Sequence, residues 1–326
     1  MATPLLWSAF YILIFPGFLF LAAGGLLVEF VDRRLYARFQ NRQGPPWFQP
    51  LADFVKLVAK EDLVPESADQ AMFKVVPLVA LTSAIVSFFY VPLWGTQALF
   101  SFEGDLVVVL YLLTIPTLCF FLGGWFSTSL FATFGAVRTL TQLFAYEVPL
   151  FMALLAPAVL AGTWSISGIA AYYQLHPWHA LLNLPGFCVA LVALLGKLEK
   201  VPFDIPEAET ELAGGTFTEY SGKLLAFFRM TVDIEAVVVS SLLAAVFLPW
   251  GMDLDGSVAT TNPWEPFAVF VLYVLKVGVI VFLLALARSI FARLRIEQMV
   301  EFCWKYVAPA ALFQLFVSVI AAGWLR

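Results

Sequence analysis

Eight apolar stretches, each long enough to cross a bilayer as a helix, leave this chain very few folds. They lie at about 7–28, 73–93, 106–126, 144–162, 180–196, 234–250, 267–287 and 305–325. Crossing about 30 Å of hydrocarbon takes roughly 20 apolar residues in helical form. Inside lipid, only helices and closed barrels satisfy their own backbone polar groups. With 62% hydrophobic and 13% charged residues and a mean hydropathy of +0.90, the composition lies outside the soluble globular range. The expected fold is therefore all-α: one polytopic integral-membrane domain over residues 1–326, without an appended soluble head.

Lysine and arginine are unevenly shared among the loops. Segment 29–72 holds Arg33, Arg34, Arg38, Arg42, Lys56 and Lys60, with Lys74 just beyond it. Arg138, then Lys197, Lys200, Lys223 and Arg229, then Arg288, Arg293, Arg295 and Lys305 mark the following loops on the same side. The intervening loops near 94–105, 163–179 and 251–266 contain neither residue. The positive-inside rule then turns four basic loops to the cytoplasm and both termini outward. Only Lys276 and Arg326 depart from the pattern. The net charge of −5 averages two opposed faces and gives no reason to expect a nucleic-acid partner.

Cys119, Cys188 and Cys303 sit in or at apolar runs without CxxC spacing, so neither a disulfide framework nor a metal site is expected. His176 and His179 read as surface histidines of an outward loop. No positive region precedes the first apolar run, which reads as a retained helix and not as a cleaved signal. Phosphate loops, nucleophile elbows and heme or iron–sulfur ligand sets are missing from the sequence. The chain is thus expected to bind no cofactor and to hold no catalytic residue of its own.

Residues 47–63 differ from the spans. Phe48, Leu51, Phe54, Val55, Val58 and Ala59 recur at helical spacing, with Asp53, Lys56 and Lys60 opposite. This predicts an amphipathic helix at the cytoplasmic interface, entered through Gly44, Pro45 and Pro46. It suits a lipid-surface anchor, but the basic run 38–42 before it favours a docking or site-walling role.

The segment 197–230 carries six carboxylates: Glu199, Asp204, Glu207, Glu209, Glu211 and Glu219. Glu207 and Glu211 at i,i+4 are expected on one helix face, where like charges repel and raise at least one pKa. Such a cluster can store and pass protons; a solvated acidic loop is the plainer alternative. Interleaved Pro202, Phe203, Ile205, Pro206 and Phe217, with Gly214 and Gly215, point to a packed, re-entrant segment. Within the spans, Glu147 lies beside Tyr146, and Lys276 lies near the middle of the seventh. Asp233 and Glu235 open the sixth and are expected to reach the interface as helix-end residues. Intramembrane charge normally faces the bundle interior. For Lys276, proton transfer and a structural ion pair both remain open.

The runs PFDIPEAE (202–209) and TEYSG (218–222) resemble the NuoH family of complex I membrane subunits. That family includes the corresponding membrane subunits of energy-converting group 4 [NiFe] hydrogenases and formate hydrogenlyases. QPLADFVKLVAKED (49–62), AYEVPL (145–150) and RLRIEQMVEFCWKYVAP (293–309) also look like family segments, in the expected order and over essentially the whole chain. Two departures bear on subtype. Respiratory members typically read GPNRVGPFGLLQPLAD and AETNRAPFDLPEAE, where this chain reads GPPWFQPLAD and GKLEKVPFDIPEAE. The carboxylate before PFD is displaced by two positions onto Glu199. Both features look more like the hydrogenase branch, which shares the proton-pathway carboxylates but does not reduce quinone in a long cavity.

The resemblance implies a component of the prokaryotic cytoplasmic (inner) membrane that works only in a complex. Peripheral hydrogenase-like large and small subunits and an iron–sulfur subunit would dock on the cytoplasmic face, bringing a [NiFe] centre and iron–sulfur clusters. Antiporter-like membrane subunits would carry H+ or Na+. Glu147, Glu199, Asp204, Glu207, Glu209, Glu211, Glu219 and Lys276 would relay protons or charge. Arg42, Asp53, Lys60, Glu61 and Tyr220 would form the junction with the peripheral arm. The main alternative is the quinone-binding NuoH component of an NADH- or ferredoxin:quinone oxidoreductase. A stand-alone secondary transporter is the third reading, weakened by the lack of an internal repeat.

Overall fold

The computed structural model describes residue 7 and residues 10–93, 95, 97–207, 209–248, 250 and 265–325. Most of the expected outward loop 251–266, and Arg326, lie outside these. Helices account for the chain: α1 (Phe18–Phe39), α2 (Gln49–Ala59), α3 (Gln70–Phe88), α4 (Asp105–Phe126), α5 (Leu130–Ala161) and α6 (Ile166–Leu175). A 3-10 turn, Pro177–Asn183, leads into α7 (Leu184–Lys197), followed by the single turn α8 (Glu209–Leu212) and then α9 (Gly222–Phe247). The chain closes with α10 (Glu265–Ile290), α11 (Ile296–Phe302), a π turn at Cys303–Val307, and α12 (Ala308–Leu325).

Among the described residues, eight helical stretches are long and apolar enough to span a membrane. They match the eight expected runs in order, and the protein is an all-α polytopic membrane protein. Several boundaries differ: the first span runs on to Phe39, the eighth begins at Ile296, and two starts shift most. The fourth span starts at Leu130 and the sixth at Gly222, each about three to four turns earlier than the apolar run suggests. A hydropathy reading starts where uninterrupted apolar sequence starts. In these two helices, polar residues such as Thr139, Gln142 and Thr231 are buried and hydrogen-bonded within the protein.

The sixth span, α9, is the axis of the bundle: every residue from Ile234 to Phe247 is buried. Its Ala236, Ser240, Ser241, Ala244 and Ala245 let neighbouring backbones approach closely. It packs against α1, α2, α3 and α10, while α5 joins α4, α7 and α12. The outer face of α12 instead exposes Leu312, Phe313, Phe316, Val319 and Ile320, as a lipid-facing helix would. A second apolar cluster holds Phe73, Phe120, Phe217, Tyr220 and Phe228 where α3, α4 and α9 meet.

Residues 198–221 return into this bundle as a packed segment, as expected. Phe203, Ile205, Leu212 and Phe217 are buried. At Gly215, φ is +56° and an added Cβ would lie 1.8 Å from the Pro206 carbonyl oxygen, so the segment crosses itself where only glycine fits. The shared helical face for Glu207 and Glu211 does not form. The single turn α8 runs only from Glu209 to Leu212, so Glu207 lies before its first residue.

Candidate functional site

A cavity of about 510 Å3 opens where α1, α2, the start of the 198–207 segment, the first half of α9 and the end of α10 converge. Charge dominates its wall. Six acids (Glu29, Asp53, Glu199, Asp204, Glu207, Asp233) and five bases (Arg33, Lys200, Arg229, Arg288, Arg293) line it. These groups are largely matched. Arg33 binds Glu29 on its own helix at 2.5 Å and reaches Asp53 of α2 at 3.0 Å. Gln49 donates to Asp53 from one turn earlier, at 2.8 Å, which fixes the carboxylate toward the cavity. Arg229 binds Glu207 at 2.8 Å, and Arg293 donates to the Asp204 carbonyl at 2.5 Å with its carboxylate 3.9 Å away. Behind the wall, Asp32 is 1% exposed and holds both Lys200 (2.8 Å) and Arg288 (2.9 Å), joining α1, the re-entrant segment and α10. Arg288 also lies over the Tyr36 ring, 4.4 Å from its centroid.

Glu199, like Asp233, stands outside this matching. Its backbone is left-handed, with φ +50°, a conformation that a glutamate adopts only under constraint. Burial, reinforced by Glu207 and Glu235 nearby, pushes its carboxyl up to about 8. It can therefore take up and release a proton near neutral pH.

Deeper in the bundle a second polar chain begins at the end of α7. Lys197, 3% exposed, binds Glu235 of α9, 1% exposed, at 2.9 Å. Its ammonium also donates to the Leu113 carbonyl (2.5 Å) and to Thr117 Oγ1 (3.4 Å). Thr117 shares a 3.1 Å hydrogen bond with Tyr146, and Gln142 donates to the Gly196 carbonyl at 2.7 Å. One turn along α4, Thr114 donates to Glu147. A void of about 10 Å3, near the lower limit for one water, is lined by both Lys197 and Glu147.

The structure thus divides the residues singled out from sequence. Asp53, Glu199, Asp204 and Glu207 meet in the cavity, and Glu147 lies beside the inner void. Glu211 is exposed, and the Arg138 guanidinium 2.6 Å away holds its carboxyl below the usual range. Glu219 is half-buried and lines neither space. The Glu209 side chain lies outside the described residues. Lys276 is buried within α10, also away from both spaces. Arg42 and Lys60 are exposed beyond the ends of α1 and α2. Tyr220 is a core residue, stacked on Phe73 at 3.9 Å and donating to its carbonyl. Glu61 contributes its backbone carbonyl, which accepts from Ser221 Oγ at 3.1 Å.

Beside it, Ser221 Oγ accepts from the Leu63 amide, and Asp62 accepts from the Lys223 amide at 2.6 Å, capping α9 from afar. At Gly222 φ is +61°, and a Cβ would meet Asp62 Oδ1 at 2.2 Å, so the Ser–Gly of TEYSG serves this clamp. Sequence reasoning missed Asp32, Lys197 and the placement of Glu235. Asp233 and Glu235 do not reach the interface as helix-end residues. Asp233 lines the cavity, and Glu235 is enclosed because α9 is the central helix and begins about three turns before its apolar run. The available signal for Lys197 was its place directly after the apolar run Leu194–Leu195–Gly196, with no polar residue between them.

Comparison with known proteins agrees with this architecture. A family model described as NADH dehydrogenase matches residues 10–319. NADH-quinone oxidoreductase subunit 8 of Thermus thermophilus is 33% identical over 320 residues, covering 92% of this chain and 84% of that protein. The corresponding NADH-quinone oxidoreductase subunit of Frankia casuarinae is 35% identical over 95% of this chain and 71% of its own length. That of Geobacter metallireducens is 34% identical over 91% and 90%. Among solved structures, a chain of the membrane-bound sulfane sulfur reductase, an archaeal respiratory membrane complex, superposes with a TM-score of 0.79 at 25% identity. That match covers 92% of this chain and 96% of the other. The chain belongs to the NADH dehydrogenase family of NuoH-type proteins and is an integral membrane subunit of a complex I-related kind.

Proposed function

We propose that this chain is the membrane-anchor and proton-coupling subunit of an energy-converting complex of the membrane-bound [NiFe] hydrogenase type. The carrying observation is the character of the large cavity, in which eleven charged side chains, mostly in pairs, form the wall. An isoprenoid tail needs an apolar path, and laying one along charged side chains costs them solvation without return. Protons need only carboxylates that change state, and Glu199 is such a group. In this reading the basic end of the bundle faces the cytoplasm and both termini face outward. Hydrogenase-like large and small subunits and an iron–sulfur subunit dock over α2 and the re-entrant segment. Charge arriving in their clusters alters the protonation of Glu199, and the change passes inward toward antiporter-like subunits. The shortened GPP connection before α2 and the displaced Glu199 support the same branch.

A second reading rests on the relatives themselves, since those at 33–35% identity are subunits of NADH-quinone oxidoreductases. The purified complex is to be assayed with reduced ferredoxin or a viologen, with and without quinone. Hydrogen formation independent of quinone supports the proposal. Quinone-dependent donor oxidation without hydrogen transfers the chain to the respiratory branch. Reduction of sulfane sulfur in place of protons aligns its partners with those of the archaeal complex.

A further inference from the structure

Lys197, paired with Glu235, directly precedes the cavity residues Leu198 and Glu199 in sequence and lines the void beside Glu147. Both side chains are almost completely enclosed. Buried ion pairs seldom out-stabilise apolar residues of the same size, because desolvation offsets their attraction. The Lys197 ammonium donates to the Leu113 carbonyl and to Thr117 Oγ1 and lies 2.9 Å from the Glu235 carboxylate as an ion pair. On its other side lies the void of about 10 Å3 that it shares with Glu147. Lysine carries its charge on a flexible stem, whereas arginine presents a broad planar fork.

We propose that Lys197 is a mobile counter-ion that alternates between Glu235 and Glu147, making proton arrival at one carboxylate govern proton release at the other. The proposal rests on the proton-coupling role above. A proton arriving from the cavity converts the Glu235 carboxylate to the acid, and no other bond changes. Lys197 keeps its three protons and its positive charge but loses its counter-ion. The ammonium then turns across the void to the Glu147 carboxylate. An ammonium there stabilises the ionised form, so any proton held on Glu147 departs onward. When Glu235 gives up its proton, the original pair re-forms. Lys197 is a positioning residue throughout, since the proton is carried by the two glutamates.

The test uses the whole complex, purified with its partners and reconstituted in liposomes. It compares wild type with Lys197→Met, Glu235→Gln, the double variant of both, and Lys197→Arg. Three quantities are read: assembled complex recovered, dye-linked redox turnover, and ions translocated per turnover. Lys197→Met leaves the Glu235 carboxylate alone and should assemble poorly, whereas Glu235→Gln mimics the protonated state, in which Lys197 pairs with Glu147, and should assemble but lose coupling. The double variant removes both charges and should assemble like wild type and turn over, yet translocate roughly tenfold fewer ions per turnover or less. A purely structural pair predicts wild-type translocation in the double variant, and that result overturns the proposal. If the double variant does not assemble, Lys197→Arg decides the matter. It keeps the charge and the pairing but is too broad for the void, so it should assemble and lose coupling; full coupling refutes the alternation. A wild-type complex that moves no ions overturns the underlying coupling role instead.

Discussion

Replacing Glu199 with glutamine should stabilise the complex against unfolding, and the gain should grow with pH. In an unfolded chain the glutamate ionises at its usual value near 4.5, but in the folded protein its proton is held until about pH 8. Between those limits the folded state carries the additional proton, so raising pH favours unfolding. The penalty is absent below about 4.5, accumulates through the interval and is complete above about 8. At ~1.36 kcal/mol per pH unit the ceiling is roughly 5 kcal/mol. The residue is half-buried, and water at the cavity reduces this to about 2 kcal/mol. Glutamine has the same shape and cannot ionise, so it removes the penalty. Thermal midpoints of wild-type and Glu199→Gln complexes, followed by intrinsic tryptophan fluorescence from about pH 5 to about pH 9, should move apart as pH rises, with the variant melting higher at alkaline pH. Ion translocation should fall in the same variant, since the stabilised form cannot accept a proton. A stability difference that is flat in pH, or that turns in favour of wild type, would refute the burial argument and the relay role built on it.

Asp32→Asn leaves Lys200 and Arg288 facing a neutral amide and should cost roughly 3 kcal/mol, measured by denaturation of the assembled complex, with partial recovery in Asp32→Glu. Gly215→Val should abolish assembly, because its Cβ falls on the Pro206 carbonyl, whereas Gly214→Ala, whose nearest neighbour is 3.5 Å away, should assemble normally; complex yield in mild detergent separates the two. Glu207→Gln should slow turnover or uncouple it from ion movement, while Glu211→Gln, which removes only an exposed pair with Arg138, should leave both as in wild type.

The spans were legible because apolar runs of that length admit only one arrangement in lipid, and the amphipathic α2 was legible from its two faces. The re-entrant segment was readable as packed, since Phe203, Ile205 and Phe217 could not remain in water. What could not be read was which charges meet. Asp32 stands next to two arginines in sequence, yet it pairs with Lys200 and Arg288, 168 and 256 residues away. The i,i+4 spacing of Glu207 and Glu211 places them on one face only if a helix runs through both, and the helix begins only at Glu209. Their carboxylates turn instead to Arg229 and Arg138. By sequence Lys197 is a loop cation at the end of an apolar run, and only the placement of α9 beside α7 and α4 turns it inward.

The clamp that holds Glu61, Asp62 and Leu63 to Ser221 and Lys223 joins points about 160 residues apart, with no slack between them. The segment just after α2 and the first turn of α9 are consequently tied together, so neither can shift without breaking these bonds or carrying the other with it. From Lys223 to Glu235 is twelve residues of continuous helix, about 18 Å at 1.5 Å each. The clamp thus fixes one end of a helical rod whose other end holds Glu235 against Lys197, and the position of that contact is set from the segment after α2.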